Sequence, residues 1–183
     1  MLEFTLEFDP KQLAEAEYAL SEIPRQLPIA ASAAVGRAIT RARKLISVET
    51  QKQYTVPAST VKKSLSVNRT RSLPGQISGS VVSQGEPLHL SKFKVRNNKR
   101  APVFIQVKKS GGKRVPGLFV HPSKSVLQRT QKTAYPLRIP YGPSVPQMVG
   151  NPSVLETVAQ EAQRTLNERL QVEVEYRLGR FGK

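Results

Sequence analysis

Cysteine is absent from these 183 residues, which rules out disulfides, thiol chemistry and cysteine-ligated metal. Tryptophan is absent too, and His89 and His121 are the only histidines. Neither stands near a serine-and-acid arrangement or at a metal-like spacing, so the sequence offers no catalytic triad and no zinc site. No cofactor, no metal and no enzymatic activity are expected. Long apolar runs are also missing. The longest weakly polar run, Pro28 to Val35, is far too short to cross a bilayer. The N-terminus, Met-Leu-Glu-Phe-Thr-Leu-Glu-Phe-Asp-Pro, lacks the basic start and unbroken apolar core of a signal peptide. The expected setting is a cytoplasm, or a particle assembled there, with no membrane partner. The length suits one domain with arms and a real core.

Acids are scarce in one region only. Residues 1–30 carry six acids and two bases, residues 31–135 two acids and 21 bases, and residues 136–183 five acids and six bases. The net charge of +16 therefore belongs to the middle of the chain. Such a field attracts a polyanion or an acidic protein surface. With only Glu49 and Glu86 in that region, no carboxylate pair is available for a metal-dependent nuclease or phosphotransferase. Aromatics are sparse there, with Phe93, Phe104 and Phe119 in strand-like contexts, so contact with a phosphate backbone is favoured over base stacking. Ser110-Gly-Gly-Lys113 lacks the first glycine of a phosphate loop and is followed by Arg114, so it reads as a hairpin turn. Asn68-Arg-Thr70 has the form of a glycosylation triplet but means nothing without secretion.

What is present reads in order. Leu2, Phe4, Leu6 and Phe8 alternate with Glu3, Thr5 and Glu7, a half-buried strand or arm. Asp9 can cap a helix with Pro10 at its first position. That helix would run to about Ile23, with Leu13, Ala16, Leu20 and Ile23 on one face and Glu15, Glu17 and Glu22 near solvent; Pro24 and Pro28 end it and start another. A second helix, about 28–53, keeps helical rhythm through Ala31, Ala34, Val35, Ala38, Ile39, Ala42, Leu45 and Ile46. Arg37, Arg41 and Lys44 line one flank of it and are candidates for partner contact. Val56-Pro57 breaks this helix, and Ser59 or Thr60 can cap a short one carrying Val61 and Leu65, with Lys62 and Lys63 exposed.

From 66 to 135 the pattern is strands and turns: Ser66–Thr70, Gln76–Gln84, Val103–Lys109, Lys113–Val120 and Val126–Thr130, punctuated by Gly75, Gly79 and Gly85. Lys108, Lys109, Lys113 and Arg114 are expected at a hairpin tip, the most positive point of the sheet, with Lys92, Lys94 and Arg96 as further anion-facing candidates. Prolines at 136, 140, 143, 146 and 152 forbid a long helix or a central strand between Tyr135 and Pro152. The apolar residues Leu137, Ile139, Tyr141, Val145, Met148 and Val149 exclude a free linker. A rigid, extended strap packed on the domain is expected. After it, Asn151 or Ser153 caps a final helix with Val154, Leu155, Val158, Ala162 and Leu166 buried. Beyond Leu170 the alternation of Val172, Val174 and Tyr176 with Glu173 and Glu175 is also compatible with a strand; a helix is expected, with a mobile tail from Gly179.

The fold expected is α+β. A long N-terminal helix and a C-terminal helix pack on a central, mostly antiparallel β-sheet, with extended arms. It is a single domain of residues 1–183: strand or arm 1–9, helices 10–53, basic β region 66–135, proline-rich strap 136–152 and C-terminal helix 153–178.

Two stretches resemble the minor tail protein Z family of tailed bacteriophages and prophages. Pro87-Leu-His-Leu-Ser-Lys-Phe-Lys-Val-Arg96 is similar to that family's Pro-Leu, Phe and basic stretch. Leu137-Arg-Ile-Pro-Tyr-Gly-Pro-Ser-Val-Pro-Gln-Met148 contains its Gly-Pro-Ser-Val-Pro-Gln-Met signature, at Gly142, Pro143, Ser144, Val145, Pro146 and Met148. The order of parts is similar from about residue 27 to 178. The resemblance implies a structural virion protein that completes the tail at its head-proximal end and is needed for the head–tail joint. The partners implied are tail terminator and tail tube proteins, head–tail connector proteins, further copies of the chain in a ring (sixfold by analogy with tail tubes), and the end of the packaged DNA. Residues 1–8 and the tail from Gly179 are the candidates for contact between copies. The alternative is a sequence-nonspecific nucleic-acid-binding protein reading the phosphate backbone.

Overall fold

The structure is a computed structural model that describes residues 1–21, 26–71, 77–98, 101–131 and 135–181. The first helix does not run to about Ile23 as expected: it stops at Ala19, with Leu20 at its C-cap and Ser21 in a turn. Pro24, Gly75 and the expected strand start at Gln76 lie outside the described residues.

Two long helices form the frame. Helix α2 spans Gln26–Gln53 and the last helix, α5, spans Pro152–Phe181, about 42 and 45 Å long at 1.5 Å per residue. They run antiparallel. The end of α2 meets the start of α5 where Gln53 bonds Asn151 and Ser153, and further along Arg37 pairs with Glu173. Each helix carries a buried residue every fourth position: Ala30, Ala34, Ala38, Ala42 and Ile46 on α2, and Val154, Val158, Ala162, Leu166, Leu170 and Val174 on α5. Rows of this kind form the ridges that interdigitate when helices pack, and alanine lets the two backbones come close.

The N-terminal strand β1 (Leu2–Leu6) and helix α1 (Pro10–Ala19) follow the sequence pattern, with Asp9 accepting a hydrogen bond from Lys11 N–H and Pro10 in the first turn. A short α3 (Ala58–Lys63) leads into β2 (Leu65–Arg71) and β3 (Ile77–Ser83). Its cap position is Pro57, which has no side-chain hydrogen bond to offer, so the expected Ser59 or Thr60 cap is not used. β1, β3 and β2 form one antiparallel sheet with β3 in the centre. That sheet lies against α2.

The remaining strands build a second, smaller body. β4 (Pro87–His89), a 3-10 turn (Leu90–Lys92), β5 (Lys94–Asn98), β6 (Ala101–Lys108), β7 (Gly111–Val115), β8 (Leu118–Val120) and β9 (Val126–Arg129) follow in order. β5, β6 and β7 form one antiparallel sheet; β8 and β9 form another with β10 (Leu137–Arg138). Val103, Ile105, Leu118 and Val126 make a core of their own between them. The helices thus pack on antiparallel strands, as expected, but the strands divide into several small sheets.

The strap after β10 is not extended throughout. β11 (Tyr141–Ser144) pairs with β4, and Ser144 then caps a short helix, α4 (Val145–Val149), through a reciprocal bond with Gln147. A helix this short tolerates Pro146 because its first-turn N–H groups have no intrahelical partner anyway. At the other end of the chain, α5 continues through Gly179 to Phe181, so the expected tail is helical as far as it is described. Asn151 accepts from Ser153 N–H at the start of α5.

Gly79 fixes how closely β3 approaches α2. A Cβ there would lie 1.9 Å from Ile39 Cδ1 and 2.9 Å from Val35 Cγ1, and Ile39 is fully buried. Gly79→Ala should therefore lower stability by about 1–3 kcal/mol through overpacking, read as a lower urea midpoint. Combined with Ile39→Val, which removes the clashing methyl, the loss should be smaller than the sum of the two single changes.

Candidate anion-binding face

The three-stranded sheet β5–β6–β7 has two unlike faces because side chains alternate along each strand. Val95 opposes Ile105 and Val103 opposes Val115; this face closes on the small core. On the other face Lys94 opposes Gln106, Arg96 opposes Phe104, and Phe104 in turn opposes Arg114. Phe104 is thus the centre of a cross-strand row, Arg96–Phe104–Arg114. A Cβ at Gly112 would come 2.3 Å from Phe104 Cζ, so the bare glycine backbone gives the ring its seat. The Arg96 guanidinium stands 6.0 Å from the ring centre, and Arg114 Nη1 donates to Pro102 O at 3.4 Å. A guanidinium held over an aromatic ring keeps its flat fork of donors oriented for a carboxylate or phosphate. The neighbouring sheet repeats the device, with Arg129 over Phe119 at 5.4 Å.

Beside this face, the end of α2 is sewn to β6. Lys109 N–H donates to Gln53 O at 2.7 Å, Thr55 N–H to Val107 O at 2.9 Å, and the Thr55 hydroxyl to Gln106 O. Lys94 N–H donates to Thr55 Oγ1 at 3.2 Å. The junction leaves a pocket of about 640 Å³ lined by Gln51, Tyr54, Thr55, Gln106, Lys94 and Lys109. Lys94 and Lys109 therefore both line this recess, and Lys94 and Gln106 belong to the strands that carry Arg96 and Phe104.

All seven candidates from Lys92 to Arg114, namely Lys92, Lys94, Arg96, Lys108, Lys109, Lys113 and Arg114, are exposed. Among the described residues none of the seven takes part in an ion pair. They do not form a single tip cluster. Lys108 and Lys109 sit at the turn, whereas Lys113 opposes Ile105 and Arg114 opposes Phe104, so the last two leave the strand on opposite faces. The turn itself is made by Lys109 and Ser110, and the two glycines belong to β7.

The α2 candidates separate as well. Lys44 is exposed, and Arg41 lines a large open groove between α1, α2 and α5. Arg37 reaches Glu173 Oε1 at 3.2 Å, and Arg177 Nη1 reaches Glu173 Oε2 at 2.6 Å. Glu173 and Arg177 are both 7% exposed. Arg37 is therefore the outer member of a charged network that stitches α5 to α2, not a free contact for a partner.

The signature residues are structural. A Cβ at Gly142 would lie 2.7 Å from Phe93 Cε2, Ser144 caps α4, and Val145, Pro146 and Met148 are buried. Pro143 lies in β11. Each histidine folds onto its own loop: Nδ1 of His89 accepts from Ser91 N–H, and Nδ1 of His121 from Ser123 N–H. Among the described residues no group of three His, Cys, Asp or Glu side chains could hold a metal ion, and no helix is long and apolar enough to cross a membrane. Comparison with protein-family models, with curated proteins and with solved structures finds no match.

Phe104, Gly112 and Thr55 were not singled out by the sequence. The alternation Val103-Phe-Ile-Gln-Val107 does contain the signal, since it puts Phe104 and Gln106 on the face away from the valines. Glu173 and Arg177 show an i, i+4 spacing, but nothing in the sequence reveals their burial. Removing the charge between two arginines, one of them buried, is costly because the remaining cation has no water to fall back on. Glu173→Gln should destabilise the protein by about 3 kcal/mol or more. Arg37→Ala, at an exposed end of the same network, should cost less than about 1 kcal/mol. Thermal or urea unfolding of the two variants reads the difference.

Proposed function

We propose that the chain is a structural, non-enzymatic virion protein of a tailed bacteriophage. In this reading it completes the tail at its head-proximal end and contributes to head–tail joining, in contact with tail terminator, tail tube and connector proteins. Two things support it: the resemblance at Gly142–Met148 and Pro87–Arg96, and the presence of a face whose cations have no acidic partner among the described residues. The second carries more weight. Lys94, Arg96, Lys109 and Arg114 are exposed, Arg96 and Arg114 are tethered to ring or backbone, and none of the four is in an ion pair among the described residues. A rigid cationic surface of this kind suits a fixed anionic neighbour, where little side-chain freedom is lost on contact. Particles made without the protein should accumulate as separate full heads and tails in electron micrographs. Normal, infectious joints in its absence would end this reading.

A second reading, a sequence-nonspecific binder of nucleic acid, is favoured by the same guanidinium forks, because phosphates match them as well as carboxylates do. It expects duplex DNA affinity that falls steeply with salt. Arg96→Ala and Arg114→Ala should each weaken binding uniformly across sequences and reduce the salt slope by about one. A titration of the purified chain with duplex at low salt that shows no binding rejects it.

A further inference from the structure

An antiparallel sheet that covers a core on one side commonly carries polar residues on the other. The sheet β5–β6–β7 keeps that rule with Lys94, Arg96, Gln106 and Arg114. The sheet β8–β9–β10 breaks it. Toward the small core it sends Leu118, Val120 and Val126. On its other side Phe119 opposes Leu127, and Leu137 opposes Arg129. Phe119, Leu127 and Leu137 are half-buried, and they belong to neither apolar core of the described residues.

The strap lengthens this patch. The β9–β10 register pairs Leu137 with Arg129 and Arg138 with Gln128, and its next step sets Ile139 level with Leu127. Phe119, Leu127 and Ile139 then make one row across the sheet. Ile139 is 45% exposed; two residues on, Tyr141 is 60% exposed, with Pro140 buried between them. The backbone here is pinned. Pro140 O accepts from Leu90 N–H at 3.2 Å, and Pro136 O accepts from the Thr130 hydroxyl at 3.1 Å. Apolar side chains held out on a pinned backbone lose little freedom on contact.

Arg129 is the one charged side chain among these outward positions. Its guanidinium stands 5.4 Å from the Phe119 ring centre, and it takes part in no ion pair among the described residues. No Asp or Glu lies between Glu86 and Glu156 in the sequence, so neither sheet of this small body supplies a carboxylate for it.

We propose that this face docks a partner protein through an apolar segment that carries one carboxylate. Aliphatic or aromatic side chains of the partner cover Phe119, Leu127 and Ile139. The carboxylate meets the fork of Arg129, which the Phe119 ring already orients. An apolar patch around a single arginine has the composition of a protein interface core, where aromatic and Arg side chains concentrate. A phosphate backbone asks for a row of cations, and that row stands on the opposite side of the small body, on β5–β6–β7. The two sides thus suit different neighbours. The face follows from the fold; that its partner is a component of the head–tail joint rests on the reading proposed above.

Two experiments test it. The first probe is 8-anilinonaphthalene-1-sulfonate, which joins apolar rings to one anion. The folded wild-type chain should bind it saturably. Ile139→Ser should weaken binding about fivefold, and Arg129→Gln about tenfold. Melting should match the wild type, since both positions are exposed. The second experiment mixes purified chain with heads and tails from particles made without it. Wild type should restore infectious joints, and Ile139→Glu and Arg129→Glu should each restore at least about tenfold fewer. The absence of a saturable dye site, or a site that neither Ile139→Ser nor Arg129→Gln weakens, overturns the docking face. Full joining by both Glu variants also overturns it and leaves the phage reading intact. A wild-type chain that restores no joints sinks the phage reading instead, and the dye titration then decides the face alone. Oligomers in sedimentation velocity that are lost in Ile139→Glu assign the face to a second copy and overturn a separate partner.

Discussion

The rest of the structure hangs on the seam between two antiparallel helices. A row of alanines on α2 and a row of aliphatic residues on α5 are buried at every fourth position over most of both helices. Close approach along such a seam needs small side chains on one partner throughout, since a single bulky residue would hold the backbones apart along its neighbours too. The β-sheet behind α2 uses the same economy, with Gly79 under Ile39. The ion network at one end and the Gln53–Asn151–Ser153 bonds at the other fix the register in which the two rows meet. The basic sandwich is then attached to the point where the helix pair begins, so its orientation follows from the seam.

Much of this framework is legible in the residues. The period of α2, the Asp9–Pro10 helix start, the alternating first strand and the paired strands around residue 110 all follow local rules, and the structure bears each of them out. What the local rules miss is set by neighbours distant in sequence. The strap looks extended because of its prolines, yet Pro146 falls in a first turn, where proline is harmless, and Ser144 and Gln147 supply a capping box. The alternation after Leu170 also fits a strand. Helix wins there because it buries Leu170 and Val174 with the rest of the stripe, and Glu173 finds both an i+4 arginine and Arg37.

The candidate site was legible as a charge bias and not as a geometry. Counting bases locates the positive region; it cannot say that Arg96 and Arg114 flank one phenylalanine while Lys113 points elsewhere. That distinction comes from strand register, which depends on where the turn falls. The glycines at 111 and 112 suggest the turn, but Gly112 is needed inside the strand because Phe104 lies on it. The same residue type thus serves close approach here and chain reversal in the sequence pattern. Arg37 shows the converse: it belongs to a basic flank by spacing, and its partner, Glu173, lies far along the chain.

The helix pair has a further consequence, for synthesis. Gln53 and Asn151, which meet at the junction, are 98 positions apart. Between them the described residues form strands, α3, a 3-10 turn, the strap and α4, so the seam closes a loop of nearly the whole middle of the protein. Closing a flexible loop of that size costs about 4 kcal/mol in chain entropy, and non-local closure of this kind slows folding. At roughly 5–20 residues per second, α2 waits several seconds or more for its partner helix to be translated. During that interval its alanine and isoleucine row is bare, and the strands that follow must organise first to bring the ends together.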